Sequence, residues 1–421
     1  MTKFGKFEHL KEEDKDDFSS LYDERKELHG IVSKNNFEFI RQVNKSTLKI
    51  LGEEWTANIR QNKQYWEKHN KIRDMIGIGR NKAVIGIGAG PSFKKNQDVL
   101  CKYVIEDGMK PWEEREFITI AANHQFKPLL ELGVIPDFVL LVDAAYTVKD
   151  QLIKDVPESA KHTQLITGCH VNPYILEQWD RQGRGIIFYT TPSDLIQNEA
   201  REQGLEGFAE NRLELGGNCL NGAWMIGTAV LQSTVFMGVA NDLSFELKDD
   251  IEEQRKAYYA DGDYSSNAEV TGSGRDEGKS EKRWAGYRME RKKIITPDMK
   301  TRYNFELDVV GTSYTLWVYK TWLETMLMTQ TQHPVYLHYF NCTEGGILGV
   351  MARSEDEDEM KKPENWYFFD EVCINHHTGR QVYMTAMLED AINMFIKVRR
   401  SYRWQDCKDA MYADGPGQRM D

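Results

Sequence analysis

The sequence predicts an α/β protein: a Rossmann-like, doubly wound and mainly parallel sheet, with a helical N-terminal arm and a helical C-terminal extension. Three observations carry that prediction. Short apolar runs recur without alternating polarity, as strands buried on both faces require. Stretches of helical character separate them. The first run ends in a Gly-x-Gly-x-Gly turn, where such folds pass from strand into helix.

From Met1 to about Arg80 the chain is charged, and Phe37, Ile40, Val43, Leu48, Leu51, Trp55 and Ile59 recur at helical spacing. Residues 1–80 are therefore expected as a helical arm that packs on the next domain or on a second copy of the chain. The catalytic core is expected over 81–350. Its candidate strands are Ala83 to Gly88 (AVIGIG), Phe117 to Ala122 (FITIAA), Asp137 to Asp143 (DFVLLVD), Gln164 to Cys169 (QLITGC), Gly185 to Thr190 (GIIFYT), Ser233 to Val239 (STVFMGV) and Val335 to Phe340 (VYLHYF). A polar stretch over 246–304 interrupts the pattern and is expected as an insertion, either a mobile lid or a disordered loop. Residues 351–421 are expected to hold an acidic loop (SEDEDEM, Ser354 to Met360), a helix around Met384 to Arg399 and a frayed tail.

Composition narrows the function. The 421 residues carry 54 Lys and Arg against 66 Asp and Glu, a net charge of −12, and no basic run stands free of acids. Nucleic acid is not an expected partner, because phosphate contacts need a basic face. The six cysteines are widely spaced and form no C-x-x-C, so neither a zinc ribbon nor a disulfide framework is signalled, and reduced thiols in a cytoplasmic protein are expected. The N-terminal residues lack an apolar signal core, and no run approaches the ~20 apolar residues of a transmembrane segment. G-x-S-x-G and G-x-x-x-x-G-K-[ST] are both absent, against a serine hydrolase or a P-loop NTPase.

In open α/β sheets ligands bind outside the carboxyl ends of the strands. The first turn gives Gly86, Gly88, Ala89, Gly90, Pro91 and Ser92: glycines for close approach, proline for a first helical position and a hydroxyl for an anion at the helix N-terminus. The next ends give Asn123 and His124, then Asp143, His170, Thr190 with Thr191, Asp242 after Asn241, and Asn341. A second anion seat is suggested by Gly216, Gly217 and Asn218 before an apolar helix, although simple capping by Asn218 explains it equally well. Asp143 and Asp242 would bind Mg²⁺ on a diphosphate, orient a sugar or pterin, or merely cap helices. His170 is the candidate general base, since imidazole titrates near neutrality, with a hydrogen-bonded structural histidine as the alternative. His124 and His338 are weaker candidates, and no histidine has metalloenzyme spacing. The tip of the second strand, Ala121 to His124, carries no acid for an adenosine ribose, so NAD is not expected.

Four motifs in order resemble a known set: Ile85 to Ser92 (IGIGAGPS), Leu132 to Phe138 running into Asp143, Gly238 to Ser244 (GVANDLS) and Asn341 to Gly346 (NCTEGG). They look like the central domain of the motility accessory factor glycosyltransferases, which is grouped with the archaeal 6-hydroxymethylpterin diphosphokinases. The resemblance covers about half the chain. It implies either transfer of a nonulosonic, sialic-acid-like sugar from a CMP donor to a hydroxyl of a protein or glycan acceptor, or ATP-dependent diphosphoryl transfer to a pterin. The related bacterial sialyltransferases hold CMP with a Gly-Asn-Gly-Pro-Ser loop and a Cys-Asn-Gln-Phe turn. By that likeness Ser92 and Asn123 would inherit phosphate or cytidine contacts, while Ala89 stands in place of the loop asparagine and His124 interrupts the turn. The pterin enzymes resemble thiamine pyrophosphokinases in clustering acids at the third strand for Mg²⁺, whereas here Asp143 stands alone. The expectation is therefore a CMP-type nucleotide-sugar glycosyltransferase with no tightly bound cofactor. The diphosphokinase, which requires Mg²⁺, is the alternative, and a non-catalytic binding or assembly module is the second. A homo-oligomer formed through the N-terminal helices is also expected.

Overall fold

The computed structural model describes residues 36–144, 148–246, 287–292, 307–312, 314–333, 337–352, 358, 362 and 366–401. Nine strands form the main sheet: β1 (Asn70–Lys71), β2 (Ala83–Ile87), β3 (Phe117–Ala122), β4 (Phe138–Leu141), β5 (Gln164–Gly168), β6 (Ile186–Tyr189), β7 (Val235–Val239), β11 (His338–Asn341) and β14 (Tyr383–Thr385). Their order across the sheet is β1-β6-β5-β4-β3-β2-β7-β11-β14, and every pairing is parallel. Strand order reverses beside β2: the chain steps outward through β3 to β6, then crosses to place β7 on the other flank. The carboxyl ends of β2 and β7 thus form the topological switch point.

Alternation along the strands divides the core. Val84, Ile118, Ile120, Leu140 and Phe236 point to one face and pack with α7 (Cys219–Met225), its π-helical continuation Ile226–Val230, and α8 (Tyr314–Gln330). On the opposite face Ala83, Ile85 and Ile87 meet Phe93, Leu100 and Val104 of α2 (Phe93–Gly108) and Ile392 and Phe395 of α10 (Leu388–Ser401). Further along that face Val139, Leu141, Leu165 and Phe188 meet α1 (Asn36–Lys68), α5 (Pro173–Arg181) and α6 (Asp194–Glu202). The short helices α3 (Phe126–Glu131), α4 (Lys149–Leu152) and α9 (Phe369–Val372) complete the set of described α-helices. Among the described residues no helix is long and apolar enough to cross a membrane.

The arm docks on its own core. Asn58 donates to the His170 carbonyl at 3.0 Å, Asn62 donates to the Cys169 and Val171 carbonyls at 2.9 and 2.7 Å, and Arg60 forks onto Glu199 at 2.7 Å. Three features depart from the sequence expectation. Asn70 and Lys71, inside the expected arm, pair with β6. The sheet does not end at 350, because β14 joins it beside β11. Within the expected insertion Tyr287–Lys292 is a strand, β9, paired antiparallel with β10 (Leu307–Thr312), which also pairs with β8 (Phe245–Glu246). Its charged residues hid that strand from a search for apolar runs. A further two-stranded piece joins β12 (Val350–Ala352) to β13 (Trp366–Phe368). The rest of the insertion, most of the acidic loop, the tail beyond 401 and the first 35 residues lie outside the described residues.

Candidate functional site

The switch point holds the expected glycine turn, but the chain itself fills it. Gly88 N–H donates to the Val239 carbonyl at 2.8 Å and Gly90 N–H to the Ala240 carbonyl at 3.1 Å. A Cβ on Gly88 would stand 2.4 Å from the Ala240 oxygen, and one on Gly90 2.0 Å from Asp242 Oδ2. Close approach is what these glycines supply, yet the approaching group is the β7 exit loop and not a ligand. The anion at the α2 N-terminus is likewise internal: the Asp242 carboxylate accepts from Ser92 Oγ at 2.8 Å and from Ser92 N–H at 3.3 Å. The structure therefore corrects the assignment of Ser92 to a donor phosphate and of Asp242 to an open metal site. Gly86 is corrected as well, since it lies within β2, where a Cβ would come 2.3 Å from the Phe236 ring and 2.8 Å from Leu220. It lets α7 settle onto the sheet. Ala89, Gly90 and Pro91 remain partly exposed along the outer side of the turn.

The second expected seat is partly filled by the chain itself. Asn218 Oδ1 accepts from Asn221 N–H at 2.7 Å, a helix cap. Gly216 and Gly217 have φ of +65° and +86°, and a Cβ on either would meet Trp322 or Tyr319 of α8 within 2.3 Å. The glycines admit aromatic rings where a ligand was expected. Asn341 is 1% exposed; its Nδ2 donates to Tyr383 Oη at 2.8 Å and its Oδ1 accepts from Thr343 N–H at 3.2 Å, so it shapes the turn after β11 and is not a donor contact.

The three candidate histidines are withdrawn from the solvent. His170 is 2% exposed and lies against the Trp55 ring, centroids 4.4 Å apart, beneath α1. Burial lowers its pKa to about 4, against the pull of a hydrogen bond to the Val142 backbone. An enclosed imidazole of that acidity does not fit the general-base role expected of His170. Burial likewise takes His338 down to about 4. His124 is also buried, on the short turn Asn123–Gln125.

These shifts predict an acid dependence of stability. The unfolded chain binds protons near the ordinary 6.5, before the folded one does. The contribution of the neutral rings is complete above about pH 6.5, falls as pH drops towards 4 and is then exhausted, on the order of 3 kcal/mol for each histidine. Urea midpoints across that range should fall with pH, and His170→Phe should flatten part of the slope. An unchanged slope in that variant would show the ring to be solvated.

What stays open is the neighbouring ground between the ends of β3 and β4 and the start of α7. Asn123, Asp143 and Cys219 are each half-buried there. Asn123 Nδ2 donates to Gln151 Oε1 at 2.6 Å, while Cys219 Sγ lies 3.2 Å from Asn123 Oδ1 and 3.3 Å from the Leu140 carbonyl. Burial pushes the Cys219 thiol up to about 11, and the Asp143 charge adds to the rise. The Tyr319 phenol is raised by burial first, then by the charges of Asp143 and Cys219. Of the sequence candidates, Asn123 and Asp143 are brought together here. Gln151, Cys219 and Tyr319 were missed, although Cys219 directly follows a cap residue that had been singled out. Among the described residues no group of three His, Cys, Asp or Glu side chains gathers as a metal site.

The chain is similar to the MAf glycosyltransferase of Magnetospirillum magneticum AMB-1, with 12% identity and a TM-score of 0.46, over 82% of this chain and 42% of that one. It thus spans less than half the length of that protein. No curated protein matches. Residues 53–239, from within α1 to the end of β7, match the family described as 6-hydroxymethylpterin diphosphokinase MptE-like.

Proposed function

We propose that the protein is a nucleotide-sugar-dependent glycosyltransferase that moves a nonulosonic sugar from a CMP donor to a hydroxyl of a protein or glycan acceptor. The observation that carries this reading is the half-open cluster of Asn123, Asp143, Cys219 and Tyr319 at the carboxyl edge of the stretch that matches the MptE-like family. Its groups are an amide, a thiol and a phenol around one carboxylate. Such a set suits hydrogen bonding to a nucleoside and sugar better than it suits clasping a metal-bound triphosphate.

In this reading Asn123 faces the cytidine. Asp143, the carboxylate of the cluster, takes the proton of the acceptor hydroxyl as that oxygen attacks the anomeric carbon and the bond to the CMP phosphate breaks. The cationic sugar of the transition state gains from the same negative charge. Cys219 stays a neutral thiol and is no nucleophile. One observation favours a second reading: the matched family is described by its diphosphokinases, so ATP-dependent diphosphoryl transfer to a reduced pterin is the rival.

Thermal stabilisation separates them, since a ligand bound only by the folded state raises Tm. CMP is expected to raise it without Mg²⁺, and Asn123→Ala to abolish the shift. A shift confined to ATP with Mg²⁺ would favour the diphosphokinase. No shift with CMP, CDP, ATP or AMP would overturn both and leave a binding module.

A further inference from the structure

We infer that a second copy of this chain docks on the β14 flank of the sheet, with β14 antiparallel to β14 and α10 antiparallel to α10 about a two-fold axis, so that one sheet runs through both copies.

Among the described residues β14 is the outermost strand on its flank. Tyr339 N–H donates to the Val382 carbonyl at 2.7 Å, and Ala386 N–H donates to the Asn341 carbonyl at 3.1 Å. Residues 382, 384 and 386 therefore face β11, and by alternation Tyr383 and Thr385 turn their N–H and C=O groups away from the sheet. Native proteins blunt such an edge with lysine or proline. The opposite edge, β1, carries Lys71. From Gln381 to Met387 (QVYMTAM) there is neither a charge nor a proline, so this edge is left fit for pairing.

The contacts of α10 fix how it is turned above that edge. Glu389 accepts from Lys102 Nζ and Tyr103 Oη at 2.6 and 3.0 Å, so one side of the helix faces α2, which packs over β2 on the inner side of the sheet. Ala391, Ile392 and Phe395 are buried against the strands. Asp390, Met394, Lys397 and Val398, three and four residues apart, share the remaining face, and all four are exposed. Met394 and Val398 stand on its β14 side, away from α2, at 38% and 43% exposure. Met384 and Met387, half-buried between strand and helix, are long and flexible enough to fill a seam there.

Charge selects the occupant. The exposed face begins with an acid, Asp390, and carries a base, Lys397, two turns later, with Met394 between them. Two such helices laid antiparallel bring each Asp390 beside the partner's Lys397 and Met394 against its own copy, while a parallel arrangement sets like charge against like. The face is thus complementary to itself, as a two-fold interface requires.

The test is the mass of the full chain in solution, by light scattering after size exclusion and by sedimentation equilibrium at micromolar concentration. Wild type is compared with Asp390→Lys, Lys397→Asp, the double exchange Asp390→Lys/Lys397→Asp, and Thr385→Pro, with circular dichroism and Tm to confirm folding. Wild type is expected at twice the 48.9 kDa of one chain. Each single exchange sets like charges together across the axis and should weaken association by about tenfold or more. The double exchange should restore it, which neither misfolding nor a contact with an unrelated surface would do. Thr385→Pro removes an outward N–H and spares the ladder to β11, so it should give a folded monomer. A wild-type monomer overturns the inference, and so does a double exchange that stays as weak as the singles. A dimer that neither the single exchanges nor the proline disturbs overturns it as well and moves the contact to another surface, the N-terminal helices included.

Discussion

Lys320→Met is expected to destabilise the protein by about 3–5 kcal/mol, the cost of leaving one member of a buried ion pair alone. Lys320 and Glu324 sit one turn apart on α8, 1% and 6% exposed, and the ammonium touches both carboxylate oxygens at 2.6 and 2.8 Å. Glu324 Oε1 also accepts the Gly349 N–H at 2.8 Å, which ties α8 to the chain after β11. Removing the lysine strands a carboxylate in an apolar cluster that includes Trp322 and Leu323. The double variant Lys320→Met/Glu324→Gln should recover most of the loss, because the glutamine still accepts from Gly349 and no charge remains. Urea unfolding of the two variants beside wild type decides it: equal losses in both would mean that packing, not the unpaired charge, sets the cost.

Gly88→Ala is expected to cost at least the upper end of the ~1–3 kcal/mol typical of overpacking. The added Cβ would press on the Ala240 carbonyl at 2.4 Å, and backbone in a paired strand exit has nowhere to retreat. Gly183→Ala is the control. Its φ of +70° carries the left-handed penalty of ~1–2 kcal/mol, but nothing lies within 4 Å of its Cβ. If the two substitutions shift the urea midpoint equally, the close contact between the β2 turn and the β7 exit is not what fixes Gly88.

Much of the fold was legible because burial on both faces leaves an unambiguous mark. Ile85, Ile120, Leu140, Ile166, Ile187 and Met237 all stand in the apolar runs read as strands, and all are buried in the sheet. β1 and β14 were not legible: two and three residues are too few to show a period, and Asn70 and Lys71 are polar. β9 was hidden in the same way by Arg288, Glu290, Arg291 and Lys292. The site was read less well than the fold, for a reason of geometry. Sequence shows which residues follow a strand but not which group will sit opposite them. Ser92 and the glycines were correctly placed at a strand end, but Asp242, 150 positions away, takes the anion's place there. Gly216 is open on paper and covered by Trp322 in space, while Gly217 stays exposed with the Tyr319 ring on one side. Asn123 and Asp143 keep their standing as candidates because what opposes them, Cys219 and Tyr319, leaves them half-buried.

The position of β2 between β3 and β7 also sets a sequence of events during synthesis. β2 to β6 are contiguous in the chain and can pair as they emerge, each with a neighbour already made. β7 arrives later and must close the other flank of β2 through contacts that span most of the domain, the kind that slow folding. Until then β2, an inner strand of the finished sheet, is an open edge, apolar on both faces, and a nascent chain halted before Val235 would offer it to any passing strand. The vulnerable moment in the life of this protein is therefore on the ribosome.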